Sequence, residues 1–133
     1  MPEATTGFRF EPIGFVENEF KESRYDPEEF AGTLSRINVL DRYAGGLYRI
    51  EGFGRLYVLF LFDRSEGYDL VLHPRGDPER PVRGVFATHS PRRPNPIGLT
   101  VVELVGVEGN VVIVRGLDAV DGTPVLDIKP ADR

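Results

Sequence analysis

The side chains best suited to chemistry in this sequence are concentrated in a proline-rich segment, residues 84–100. Pro91, Pro94 and Pro96 each fix φ at about −65° and disfavour a helical conformation in the residue before them. The segment is therefore expected to be a stiff, extended loop between two strands, and such a loop loses little conformational entropy on binding a ligand. A rigid connection that binds nothing is the alternative. The loop presents five polar side chains that could grip a ligand: His89, Ser90, Arg92, Arg93 and Asn95.

A second polar segment, residues 118–130, combines a tight turn at Asp121 and Gly122 with three carboxylates and a lysine. A carboxylate can bind a cation or act as a general base. Asp121 and Asp127 are the candidate bases, and Lys129 is the third candidate catalytic residue. Both assignments have structural alternatives. An aspartate before a glycine is an ordinary turn residue, and Lys129 could serve merely to pair with Asp127.

Together the two segments resemble the TsaA-like, or TrmO-type, family of S-adenosylmethionine-dependent tRNA methyltransferases. The resemblance covers nearly the whole chain, from Pro-Ile-Gly-Phe-Val at 12–16, through Gly-Phe at 52–53 and Leu-Tyr-Val-Leu-Phe at 56–60, to Asp-Ile-Lys-Pro at 127–130. Two long motifs in the right order are more specific than a single glycine pattern. The resemblance implies a small β-barrel that binds its cofactor outside any Rossmann fold.

The resemblance also implies the cofactor-binding residues and the reaction. S-adenosylmethionine is expected to contact the turn after a buried strand, the proline-rich loop, the start of the next strand and the second polar segment. The implied reaction is methyl transfer to N6 of a threonylcarbamoylated adenosine beside the tRNA anticodon. Because this is an in-line displacement at a sulfonium carbon, catalysis should depend mainly on positioning. The implied contacts are Asp63, Arg64, His89, Ser90, Arg93, Asn95, Leu99, Asp118, Ala119, Val120 and Asp121.

Two positions depart from the family pattern. The family's Ala-Thr-Arg-Ser-Pro element reads Ala-Thr-His-Ser-Pro at 87–91, so His89 replaces a permanently charged guanidinium with an imidazole that is mostly neutral at physiological pH. A Pro-Arg-Gln element is absent from the N-terminal loop, where Tyr25, Asp26 and Pro27 stand instead. A non-catalytic module of the same fold that binds adenosylmethionine or a nucleotide therefore remains a second interpretation.

Length and composition exclude several other classes. The 133 residues, 41% of them hydrophobic, suit a single domain over residues 1–133. No cysteine is present, and His73 and His89 stand apart, so no metal site is expected. No apolar run approaches the roughly 18 residues of a membrane span, and no signal peptide is recognisable, so a cytoplasmic protein is expected. The Gly-Phe-Gly at 52–54 precedes a strand-like run instead of following one, which excludes a Rossmann dinucleotide site.

Charge is distributed unevenly along the chain. The net charge is −5, yet residues 1–31 hold eight acids and three bases, while the remainder is balanced. A basic patch beside the proline-rich loop could bind one structured RNA, and tRNA is the expected partner. An ordinary solvated arginine cluster is the alternative. The patch would consist of Arg75, Arg80, Arg83, Arg92 and Arg93.

The hydrophobic pattern is mainly that of strands, and it predicts a mainly-β fold: a small closed or nearly closed single-sheet β-barrel with few short helices. Residues 17–33 are expected to be a surface loop, and a helical turn capped by Asp41 should end at Gly45 and Gly46. Residues 56–62 are continuously apolar, which predicts a strand buried on both faces, and a partner subunit could supply one cover. We therefore expect a homodimer. The predicted strands are 8–15, 34–40, 56–62, 68–72, 99–107, 111–117 and 125–128.

Overall fold

The computed structural model describes residues 7–22 and 27–132. Six antiparallel strands close into a barrel, which confirms the predicted fold class. In chain order the strands are β1 (Gly14–Glu17), β2 (Leu34–Val39), β3 (Arg55–Leu61), β4 (Val71–Leu72), β5 (Arg83–Gly84), β6 (Ile97–Glu108), β7 (Val111–Arg115) and β8 (Pro124–Pro130). Their order around the barrel is β1, β2, β7, β6, β3, β8. Strands β4 and β5, which lie between β3 and β6 in sequence, form a separate two-stranded sheet.

The barrel core is built by alternation along each strand, because successive side chains point to opposite faces. Aliphatic residues from five strands are almost fully enclosed, and each buried side chain stabilises the fold by about 1.5–3 kcal/mol. The most enclosed of them, each 0–1% exposed, are Ile37, Leu56, Val58, Val102, Val112, Val114 and Val125.

Strand β3 shows that one prediction, a strand at 56–62 buried on both faces, is wrong. Leu56, Val58 and Phe60 face the core, but Tyr57 is 36% exposed, so the strand is not buried on both faces. Its outward positions are as apolar as its inward ones, which is why the sequence lacks alternation. These outward side chains lie beside the equally apolar outer face of β6.

The segment between β1 and β2 was wrongly predicted as loop throughout. Helix α1 (Pro27–Ala31) lies within it. Phe20 and Phe30 form a second small core with Val120, and their ring centroids are 4.4 Å apart. Ten residues separate the two phenylalanines, so neither strand nor helix periodicity reveals that they pack together. The departure noted at Tyr25 and Asp26 lies outside the described residues.

Several predicted boundaries also change. The helical turn at Asp41 is a 3-10 helix, Asp41–Leu47, which continues through Gly45 and Gly46 and has no side-chain cap. The strand predicted at 68–72 shortens to β4. Residues Val85–Ala87 form a 3-10 turn, in which the buried Val85 donates its N–H to the carbonyl of Leu70. Two further 3-10 turns are Ile50–Gly52 and Pro74–Gly76.

Candidate functional site

The sequence-predicted residues lie mainly around one end of the barrel. β1 and β3 finish at this end, β6 and β8 begin there, and residues 116–123 cross it between β7 and β8. The antiparallel register fixes the arrangement, since Leu61 at the end of β3 pairs with Ile97 at the start of β6. Two loops far apart in sequence are thereby brought to the same edge.

The proline-rich loop is held from within and from the turn that follows β3. Arg93 donates to the carbonyls of Thr88 and Ser90, at 2.9 and 3.1 Å. Arg92 donates to the carboxylate of Asp69 at 2.8 Å, and this bond raises the pKa of Arg92 and lowers that of Asp69. Both guanidinium groups therefore brace the loop.

This bracing narrows the predicted basic patch. Besides Arg92 and Arg93, Arg80 is also engaged, with its Nε 3.7 Å from the Asp77 carboxylate. Arg75 and Arg83 have no carboxylate within 4.0 Å among the residues that the structure describes, and both are exposed. The patch available to a ligand or an RNA thus reduces to two guanidinium groups.

Asp118 lies in the field of two cationic groups from other loops. Neighbouring protein atoms displace water from its carboxylate and raise its pKa, while the charges of Arg75 and His89 oppose that shift. Arg75 has a left-handed backbone with φ 58°, which is uncommon for a residue with a side chain and is often found at functional sites. Arg75 and His89, from two other segments, therefore act on the Asp118 carboxylate through their charge at the barrel end.

The main chain beside Asp118 is largely enclosed. Ala119 and Val120 are 5% and 7% exposed as whole residues, whereas Asp118 is exposed. Within the described parts of the chain, the N–H groups of residues 118–120 donate to no protein acceptor. The N–H of the exposed Asp118 could bind a planar heterocycle or an anion. The resemblance implies cofactor contacts at residues 118–121, and those contacts stay a prediction.

Asp121 is held by its neighbours. Its Oδ1 accepts the N–H of Asn18 at 2.9 Å, and its Oδ2 pairs with Nζ of Lys21 at 2.9 Å. The bond from Lys21, followed by that from Asn18, lowers the pKa of Asp121. Arg64 also donates to the carbonyls of Lys21 and Asp121, at 2.7 and 3.2 Å. A low pKa and two engaged oxygens make Asp121 a weak base.

The remaining candidates on β6 and β8 share the outer face of the barrel. Leu59 pairs with Leu99 on one side and with Asp127 on the other, so these two are about two strand spacings apart, roughly 10 Å. Asp127 lies 3.2 Å from Lys129, and its Oδ1 accepts the N–H of Ile128. This pair is separated along the strand from the loop at 118–121.

The geometry gives weaker support to three of the predicted cofactor contacts, Asp63, Asn95 and Ser90. Asp63 is exposed in the turn after β3. Asn95 is exposed, and its carbonyl accepts the N–H of Ile97 at 2.7 Å. The hydroxyl of Ser90 accepts the N–H of Arg92 at 3.2 Å. The first two side chains remain open to a ligand, whereas Ser90 contributes to the shape of the loop.

Sequence reasoning did not select Asn18, Lys21 or Arg75 for this site. Asn18 and Lys21 stand in the segment assigned to loop, and Arg75 was counted merely as part of the basic patch. A Pro-Arg-Gly sequence at 74–76 is the one available signal, because glycine beside an arginine suggests a turn that could aim the side chain.

Two clefts lie at the opposite end of the barrel. One, of about 360 Å³, is lined by residues that include Tyr48, Arg49 and Val107. The other, of about 210 Å³, includes Tyr48 and Lys129. Both clefts are open to solvent, and neither is lined by Asp118 or Asp121, the two residues of the 118–121 loop whose pKa values are shifted. We therefore place the candidate site at the end of the barrel that holds the 118–121 loop.

Residues 7–22 and 27–132 contain no group of three or more His, Cys, Asp or Glu side chains able to hold a metal ion. No helix in those ranges is long and apolar enough to cross a membrane.

Known proteins share both the sequence and the fold. The S-adenosyl-L-methionine-binding protein of Archaeoglobus fulgidus is 47% identical over 120 residues, which cover 89% of this chain and 85% of that protein. The tRNA (adenine(37)-N6)-methyltransferase of Mus musculus is 38% identical over 90% of this chain and 30% of its own length. The crystal structure of TrmO from Pseudomonas aeruginosa matches with a TM-score of 0.77 at 30% identity, covering 97% of this chain and 58% of that chain.

This chain thus corresponds to one part of the longer TrmO and mammalian proteins. Residues 15–131 match the family described as the tRNA-methyltransferase O N-terminal domain. That match spans almost all of the barrel, from β1 through β8. It includes both the proline-rich loop and the 118–121 loop, and it confirms the resemblance recognised from the sequence. The chain belongs to the tRNA-methyltransferase O N-terminal domain family.

Proposed function

We propose that this protein is an S-adenosylmethionine-dependent methyltransferase that modifies N6 of threonylcarbamoyladenosine next to the tRNA anticodon. The observation that carries the proposal is the convergence of the proline-rich loop and the 118–121 loop at one end of the barrel, which the pairing of β3 with both β6 and β8 fixes. Family membership supports the reaction class. The name of the mouse relative supports the adenine N6 position.

The chemistry at the barrel end fits the groups of the cofactor. S-adenosylmethionine has a carboxylate, an ammonium group, a sulfonium centre and an adenine ring. Arg75 and His89 could bind its carboxylate, and the partly desolvated Asp118 could bind a cationic group. The N–H of the exposed Asp118 could bind the adenine edge. Each part of the ligand thus has a protein group of matching polarity.

Bound S-adenosylmethionine would supply the methyl group, and the protein would supply positioning and proton transfer. Carboxylates near a sulfonium stabilise a charge that shrinks during transfer, so Asp118 is better suited to binding than to stabilising the transition state. Asp127 is the remaining candidate base, because its carboxylate is half exposed. Asp127 and Lys129, 3.2 Å apart, lie along β8 from the 118–121 loop, so they could take part only where the substrate bridges that separation over the outer face of the barrel.

The tRNA would be held by a small number of positive groups. With Arg75 assigned to the cofactor, Arg83 is the exposed guanidinium group without a carboxylate partner that remains in the described part of this region. One such group provides little non-specific affinity, because affinity and its salt dependence rise with the number of phosphate contacts. Recognition would then depend on the shape of the anticodon loop, in the cytoplasm where tRNA is found.

We also propose that the protein acts as a homodimer. The outer face of β3 and β6 is apolar, and Tyr57, Ile97, Leu99 and Val101 are between 36% and 56% exposed. The register places Tyr57 opposite Val101 and Leu61 opposite Ile97, so these side chains form one continuous stripe. A second copy covering this stripe would bury it and would deepen a site that a single chain leaves shallow.

The test is nucleoside mass spectrometry of digested tRNA that has been incubated with the protein and labelled S-adenosylmethionine. We expect one labelled methyl group on threonylcarbamoyladenosine, and none on tRNA that lacks the threonylcarbamoyl group. Label on another nucleoside would reject the proposed acceptor while keeping the methyltransferase.

A non-catalytic module that binds S-adenosylmethionine is the second candidate. It is favoured by the name of the Archaeoglobus relative, which specifies binding alone, and by His89 in place of the family's arginine. This candidate predicts cofactor binding without label in any tRNA nucleoside. The same mass spectrometry experiment, combined with calorimetry, separates the two.

A further inference from the structure

Four residues from three segments form a hydrogen-bonded cluster behind the 118–121 loop, which we name the loop clamp: Asn18, Lys21, Arg64 and Asp121. Asn18 is its centre. Its side-chain amide donates to the carbonyl of Ala119 at 2.8 Å and to the hydroxyl of Ser35 at 3.0 Å, and its amide oxygen accepts the N–H of Phe20 at 3.0 Å. The Asn18 side chain therefore has a partner on both its donor and its acceptor side.

The clamp holds the loop from behind at several points. Asp121 donates its N–H to the carbonyl of Phe20 at 2.6 Å and binds Asn18 and Lys21 through its carboxylate. Gly122 donates to the carbonyl of Val16 at 2.7 Å and has φ 83°, which favours glycine. These bonds hold the backbone of the loop from one side, while Asp118 on the loop stays exposed.

We propose that Asp121, together with Asn18 and Lys21, is a positioning residue that fixes the 118–121 loop for the cofactor and does not take up the substrate proton. This inference rests on the proposed function. It assigns a role to Asn18 and Lys21 and leaves the base to another group.

The geometry separates the two roles of Asp121. A base must approach the proton that it removes within about 2.6–3.2 Å. Asp121 instead directs one oxygen at the N–H of Asn18 and the other at Lys21, both in the segment behind the loop. Taking up a proton would also require giving up the pairing with the Lys21 ammonium group. The lowered pKa of Asp121 agrees with this arrangement.

The clamp has a matched control at the opposite end of the barrel. Asp132 also accepts backbone N–H groups, from Gly54 and Arg55 at 3.2 and 3.0 Å, and pairs with Nε of Arg55 at 2.9 Å. Asp132→Asn therefore removes a similar set of charged bonds far from the proposed site. It controls for a general loss of stability.

The experiment compares wild type, Asp121→Asn, Lys21→Gln and Asp132→Asn. Because the Lys21–Asp121 pair is partly solvent-exposed, we expect a modest effect: the Kd for S-adenosylmethionine rises by about three- to tenfold in Asp121→Asn and Lys21→Gln. The two changes should be less than additive in the double variant, because they break the same interaction. In Asp121→Asn, kcat at saturating cofactor should stay within about threefold of wild type, with an unchanged pH profile. Asp132→Asn should leave the Kd unchanged.

Hydrogen exchange supplies a readout that needs no cofactor. The amides of Asp121 and Gly122, which donate to the carbonyls of Phe20 and Val16, should exchange faster in Asp121→Asn than in wild type or Asp132→Asn. Unchanged exchange would overturn the clamp, whatever the protein binds. A kcat that falls by about a hundredfold or more at an unchanged Kd would overturn it too, since that is the behaviour of a base. If exchange is faster in Asp121→Asn than in wild type, but wild type binds no cofactor, the proposed function fails. The loop clamp then survives with a structural role alone.

Discussion

Gly98, in the Ile-Gly-Leu element that opens β6, provides a stringent test of the packing at the barrel end. A Cβ added there would overlap the ring carbons of Phe60 and would lie 2.9 Å from the ring of Phe62. Phe60 is 2% exposed, and the two rings pack edge to face at a centroid distance of 5.3 Å. Neither ring can move without disturbing the core, so Gly98→Ala should be destabilising by overpacking.

Overpacking of this kind costs about 1–3 kcal/mol. For a chain of this length each kcal/mol lowers Tm by about 3–5 °C, so Tm should fall by about 3–15 °C. Gly106→Ala is the matched control, because Gly106 lies in the same strand with nothing within 4 Å of its added Cβ. Thermal and urea unfolding of both variants measure the difference.

A second substitution makes this reasoning refutable. Phe60→Leu removes the ring that the new methyl group would strike, so it should restore part of the stability lost in Gly98→Ala, and the two changes should be non-additive. If Gly98→Ala and Gly106→Ala unfolded within about 0.5 kcal/mol of each other, close packing would not be the reason for a glycine at position 98.

Three further predictions concern the site and the interface. Partial desolvation raises the folded-state pKa of Asp118, although the residue is exposed, so the stability it contributes is present below its unfolded pKa and lost as pH rises through the folded pKa. Solvent screening keeps this effect small, so Asp118→Asn should raise Tm at pH 7 slightly, and a lower Tm would contradict this sign. His89→Ala should weaken cofactor binding without unfolding the protein, because His89 is exposed, and His89→Arg should keep or raise the affinity; equal affinities in all three proteins would make His89 a bystander. Val101→Glu should convert a dimer of twice the 14.9 kDa chain mass into a monomer in light scattering, and a wild-type monomer that persists at high concentration would reject the homodimer.

The fold class was predictable because the strand signals are local. The four consecutive β-branched residues at 111–114 favour a strand and form β7, and Gly109 with φ 61° supplies the hairpin turn between β6 and β7. Strand β3 was harder, because Tyr57 and Leu59 are apolar although they face outward. An apolar sequence indicates that a side chain can be buried. It does not indicate whether the chain's own core or another molecule covers that side chain.

The parts of the site that the sequence missed depend on contacts across long separations. Asn18 and Asp121 are 103 residues apart, and their hydrogen bond exists because β1 and β8 are neighbours in the closed barrel. The role of Arg92 was likewise hidden. Its charge suggested an RNA contact, whereas Asp69 binds its guanidinium inside the loop system. Spacing along the chain cannot distinguish a residue that faces a ligand from one that braces the loop.

A crystal structure of the protein with S-adenosylhomocysteine, the demethylated product, would test the central claim most directly. We predict density for the ligand against the backbone of residues 118–120, with Asp118 and Arg75 in contact. Calorimetry in excess chelator should show binding without metal. An ordered ligand in the cleft beside Tyr48 and Lys129, with none at residues 118–120, would contradict the account.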